Sequence, residues 1–110
     1  ERCLRLAWPH LQQLPYAHTR LLGALDEWLH PGETLIIRAP EQDLARWTDA
    51  LPGGYAPKRL VLAIPDTAGE LPGLLGQRRS RDGGVAYLCR GSHCEAPPGS
   101  PEELASALEK

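Results

Sequence analysis

Two short, almost unbroken apolar runs, Leu35-Ile36-Ile37 and Leu60-Val61-Leu62-Ala63-Ile64, limit what this chain can fold into more than any other feature. Without polar alternation, such runs fit strands buried on both faces. Between them Leu44, Trp47 and Leu51 recur at helical spacing until Pro52-Gly53-Gly54 ends the pattern. Pro65-Asp66 closes the second run, residues 69–76 suggest a short helical turn around Leu71, Leu74 and Leu75, and Gly84–Cys89 reads as a third strand. Ser100-Pro101-Glu102-Glu103 then carries a helix start: a capping serine, proline at the first helical position and glutamate three residues after the cap. Leu104 and Leu108 are expected to face inward. Strands alternating with helices predict an α/β domain with parallel pairing and right-handed crossovers. The expected form is three-layer-like, with a short, mainly parallel sheet of about three strands flanked by helices.

The first 32 residues have a different pattern. Cys3, Leu4, Ala7, Leu11 and Leu14 fall on one helical face, with Pro9 inside the pattern and expected to kink or split it. A second helix opens at Pro15 and carries Ala17, Leu21, Leu22, Leu25, Trp28 and Leu29, ending at His30-Pro31-Gly32. These residues read as a helical hairpin over 1–32, followed by a small α/β module over 33–110. Because Glu1 lies inside a helical pattern without an initiator Met, the chain reads as a piece of a longer protein.

Composition narrows the function classes. The 110 residues suit one core, and a net charge of -2 offers no general attraction to nucleic acid or an anionic membrane. No charged-then-apolar leader and no long apolar run is present. Met and Phe are absent, so Leu, Ala and the three tryptophans Trp8, Trp28 and Trp47 are the expected core. Three cysteines, one remote from the others, argue against a disulfide scaffold and for a cytoplasmic protein.

Chemistry concentrates in Ala86-Tyr87-Leu88-Cys89-Arg90-Gly91-Ser92-His93-Cys94. The spacing favours two reduced cysteines packed beside a strand end; a disulfide across a four-residue hairpin loop is the second reading. Metal binding is disfavoured, since zinc wants four ligands and only Cys89, His93 and Cys94 are local. His93 and Cys94 are neighbours on an extended chain and point to opposite faces, so no nucleophile–base pair forms and no catalytic residue is assigned. As a redox candidate, the Cys89–Cys94 pair would have Arg90 and His93 as its modulators. Arg78, Arg79 and Arg81 read as a solvated loop rather than a phosphate contact, and His18 as a capping or packing residue. No cofactor motif is present.

Three segments together resemble the C-terminal region of a known family: Pro15-Tyr16-Ala17-His18-Thr19-Arg20-Leu21-Leu22-Gly23-Ala24-Leu25-Asp26, the run Leu35-Ile36-Ile37, and Ala86–Cys89 continuing through Cys94 and Pro97 to Ser100–Leu104. They are similar to the thioredoxin-domain proteins related to spermatogenesis-associated protein 20. The resemblance implies a parent with a thioredoxin-like domain, a helical toroid like that of six-hairpin glycosidases, and a small terminal α/β module. Residues 1–32 would then be the last helices of the toroid, and the toroid and thioredoxin-like domain would be the partners of the module. Arg38-Ala39-Pro40 stands where a small, glycine-containing turn is expected, which argues against a ligand at that strand's end.

Two functional readings follow. One is a non-catalytic accessory module packing against the toroid; the other is a thiol-exchange element using Cys89 and Cys94. A third is ligand binding at the C-terminal ends of the strands.

Overall fold

The computed structural model describes every residue except Ser92, Ala96 and Lys110. The first two belong to the cysteine-bracketed tail of the sequence reading and the third ends the 33–110 module; they lie outside the described residues. The chain divides into two compact units, Glu1–Gly32 and Glu33–Lys110.

In the first unit, helix α1 (Arg2–Gln13) runs through Pro9 without being split. A single 3-10 turn (Pro15–Ala17) leads into α2 (Thr19–Leu29). The two helices pack on each other, yet Leu11 is their one buried residue. Trp8 is 47% exposed and Trp28 54%, so the expectation that all three tryptophans are core holds for Trp47 alone, at 1%. Two helices have one shared contact line, and a stripe as wide as this one exceeds it.

The second unit is a four-stranded sheet in the order β2-β1-β3-β4. Strand β1 (Glu33–Ala39) is central, and helix α3 (Glu41–Asp49) carries the chain back to β2 (Arg59–Pro65), which pairs parallel to β1. A short α4 (Gly73–Gln77) precedes β3 (Val85–Arg90), which pairs antiparallel to β1. Strand β4 (His93–Cys94) pairs antiparallel to β3, and α5 (Pro101–Glu109) ends the unit. The α/β class is as expected, but the sheet is mixed and has a fourth strand.

The mixed pairing has a simple cause. A parallel return needs a crossover that traverses the sheet. A seven-residue strand spans about 23 Å, and the five residues of α4 rise only about 7.5 Å. The chain therefore enters β3 at the end where it left β2, with Val85 opposite Arg38 and Pro65 beside Ala39.

The core lies on one sheet face. Leu35, Ile37, Ala39, Ala86 and Leu88 pack with Trp47 of α3 and Leu104 of α5, flanked by Leu44, Leu51 and Leu108. Trp47 donates its indole N–H to the carbonyl of Gly83 at 3.0 Å, so the largest core side chain leaves no polar atom unpaired. Gly84 closes this corner at φ 101°, and a Cβ there would lie 2.8 Å from the Ala39 Cβ and 2.9 Å from Trp47 Cε2. Helix α5 starts as its sequence predicts. Ser100 Oγ accepts the Glu103 N–H at 3.1 Å, while the Glu103 carboxylate accepts the N–H of Gly99 at 2.9 Å.

Strand β2 is not the doubly buried strand its composition suggests. It lies at the sheet edge, with Leu60 57% and Val61 37% exposed. An edge strand has a neighbour on one side only, so apolar runs predict a strand more surely than they predict its cover.

Candidate functional site

Cys89 and Cys94 are register partners across the β3–β4 hairpin. The Glu95 N–H donates to the Leu88 carbonyl at 2.9 Å, which makes Leu88–Glu95 a hydrogen-bonded pair and the cysteines the adjacent, closer pair. Their Cα atoms are 3.9 Å apart and their sulfurs are bonded. The reduced, packed pair favoured by the sequence is thus replaced by a disulfide. The hairpin is also tighter than the cysteine spacing suggests, because Arg90 pairs with His93 as well. Gly91 takes φ 59°, the left-handed conformation that glycine adopts at little steric cost in tight hairpins. The Gly91-Ser92 dipeptide was the available signal, since Gly-Ser between strand residues marks such a hairpin.

The disulfide lies on the sheet face opposite the Trp47 core, because Cys89 pairs with Thr34 rather than with a core position. Helix α4 covers it. Thr34, Ile36, Leu74, Leu75 and Arg78 line a cavity of about 200 Å³ around the two cysteines and Gly91. Cys89 is buried at 8% exposure, and Cys94 is partly open.

Arg78 is the charged group at the site. Its Nη2 donates to Cys94 Sγ at 3.1 Å, and its Cζ stands 5.6 Å from the Tyr87 ring centroid. Tyr87 in turn donates its hydroxyl to the Arg79 carbonyl at 2.7 Å. Arg90 and His93, the modulators expected from sequence, are placed elsewhere. Arg90 bridges Glu33, at 3.1 Å, and Glu95, and His93 is exposed on a strand next to Cys94. Sixteen residues separate Arg78 from Cys94, and only the fold of α4 over β3 joins them. The solvated-loop reading therefore fails for Arg78, while Arg79 and Arg81 are exposed.

The first unit presents a second candidate surface. Leu4, Trp8, Leu25, Trp28 and Leu29 line a groove of about 210 Å³, with Arg5 at its side. Leu29, within this groove, is 61% exposed, and Leu6, elsewhere on α1, is 73% exposed. His18 sits at the start of α2 and makes an edge-on ring contact with His10 at 6.3 Å; its side chain makes no cap bond.

Among the described residues there is no cluster of three or more metal-ligating side chains, and no helix is long and apolar enough to cross a membrane. No protein family model matches the chain, and neither a curated protein nor a solved structure is significantly similar to it.

Proposed function

We propose that this chain is a non-catalytic packing module of a larger protein, the helical pair docking onto an α-helical body and the sheet unit serving as its self-supporting base. The body is the toroid implied by the resemblance to thioredoxin-domain proteins. The reading is carried by the apolar groove of Leu4, Trp8, Leu25, Trp28 and Leu29, whose aliphatic and indole walls, at helical spacing, suit leucine-rich helices. Fully burying each such side chain is worth about 1.5–3 kcal/mol, which a helical partner would supply. Chains under about 40 residues rarely fold on a core of their own, and the 32-residue unit buries only Leu11. The test is hydrophobic-dye binding by the chain and by a Trp8→Ser, Trp28→Ser, Leu29→Ser variant. Dye binding should fall several-fold while unfolding of the sheet unit stays unchanged. Equal dye binding by both would remove the docking surface.

A second reading, a thiol-exchange element, is favoured by Arg78 lying on Cys94 Sγ. In the dithiol form Cys94 is the more open cysteine, and the guanidinium would hold its thiolate. That thiolate attacks a partner disulfide, forming a mixed disulfide and releasing one partner thiolate. Cys89 then attacks the Cys94 sulfur, releasing the second. The module's dithiol is oxidised and the partner's disulfide reduced. In a cytoplasmic setting, the compartment expected from cysteine usage, the pair would work mainly from its dithiol side. Thiol alkylation across a glutathione titration separates the roles. A midpoint in the cytosolic range supports exchange, and a bond that resists reduction makes the pair a staple.

A further inference from the structure

The C-terminal ends of β1 and β2 meet the start of β3 at a cavity of about 540 Å³, lined by Arg38, Asp66, Glu70, Leu71, Arg79 and Ser80. Arg38 belongs to the central strand and is 8% exposed. Its Nε is buried with no hydrogen-bond partner, and no ion pair forms to it among the described residues. A guanidinium so placed is costly unless its charge and donors are met. No fold requirement calls for it: the neighbouring partners on the same face are Val85 and Ile64, and an aliphatic side chain would fit the pattern.

The lining charges are unspent as well as the buried one. Asp66, Glu70 and Arg79 are exposed at the rim, and none forms a side-chain hydrogen bond or ion pair with Arg38, with one another, or with any other described residue. Two guanidinium groups and two carboxylates therefore line one cavity with a net charge of zero. A lone dianion is repelled by the carboxylates, and a lone cation by the arginines. A molecule carrying one carboxylate and one ammonium matches both signs and leaves the total neutral. Arginine is the side chain suited to the carboxylate, through a two-pronged pair. Leu71 adds an apolar wall, and the volume leaves room beyond the charged groups for an uncharged side chain.

We propose that this cavity binds a free α-amino acid with an uncharged side chain, its carboxylate on Arg38 and Arg79 and its ammonium toward Asp66 and Glu70. The site lies at the strand ends where open α/β sheets place their ligands. Its key residue is the one whose presence there argued, at the level of sequence, against a ligand.

The test is a set of titrations of the full chain followed by backbone-amide chemical shifts, using L-leucine, L-glutamine and L-alanine separately, with acetate and methylamine as single-charge probes. At least one amino acid should give saturable shifts at residues 38, 66, 70 and 80, at concentrations where acetate and methylamine give none. Arg38→Met should weaken that binding roughly 10–100-fold while melting at the same or a higher temperature, because it removes a buried charge. Glu70→Gln, at an exposed position, should weaken it several-fold with the fold intact. Three results overturn the proposal: no amino acid binding, acetate binding as tightly as the amino acids, or Arg38→Met unfolding the chain while Glu70→Gln binds normally.

Discussion

The two units of this chain use similar side chains to opposite effect. In the sheet unit Trp47 is sealed between α3, β1 and the Gly83 carbonyl at 1% exposure. In the helical unit Trp28, also at helical spacing among leucines, stays 54% exposed. A sheet offers a broad face on which α3 and α5 can both bury a stripe, whereas two helices share only one seam. Apolar periodicity sets where a helix forms; burial depends on how much surface the rest of the unit provides.

The sharpest way to break this contrast is to truncate both tryptophans. Trp47→Ala should cost the sheet unit about 3–5 kcal/mol, and Gly84→Ala a comparable amount through its positive φ and the Trp47 contact. Trp28→Ala should change denaturant stability by less than about 1 kcal/mol. Equal losses for the two tryptophans would mean the units do not differ as described.

Next in size is the disulfide. Opening it with a Cys89→Ser, Cys94→Ser variant should lower stability of the sheet unit by about 2 kcal/mol, the chain-entropy value for so short a loop. Chemical denaturation with and without reductant checks this, and the helical unit should not respond. Glu33 follows. It pairs with Arg59 at 2.5 Å and Arg90 at 3.1 Å at the start of β1, and only 17% of its side chain is exposed. Glu33→Gln should cost roughly 1–2 kcal/mol, read by thermal unfolding.

The smallest effect is at Glu102. Its carboxyl is held below the usual 4.5, first by a hydrogen bond from its own backbone N–H and also by Arg46, 3.5 Å away, and Ser100, with desolvation opposing. A carboxylate whose folded pKa is lowered stabilises the fold fully above pH 4.5 and loses that contribution as pH falls through the lower folded value. Acid titration of Glu102→Gln should therefore lack a slight loss of stability that the parent shows below pH 4.5.

Much of this was legible in the residues. The strands at 33–39, 59–65 and 85–90, the capped helix at 101–109 and the break near residue 32 follow from apolar runs, caps and Pro/Gly punctuation. Strand direction was not, because it depends on how far a connection carries the chain, and the glycines at 69, 73 and 76 hide how short α4 is. The cysteines were visible as a pair, but their bonding depends on the pairing of Arg90 with His93, which the cysteine spacing alone does not reveal. Arg78 and Arg38 were invisible as site residues. One reaches Cys94 only through α4 folding over β3, and the other owes its interest to burial, which composition does not reveal.

The most direct test of the packing-module account is amide hydrogen exchange across the whole chain. Amides of α1 and α2 should exchange at least roughly 100-fold faster than those of β1 and β3, because the helical pair lacks a core of its own. Protection of α1 and α2 equal to that of the central strands would contradict it: the helices would then be stable without a docking partner.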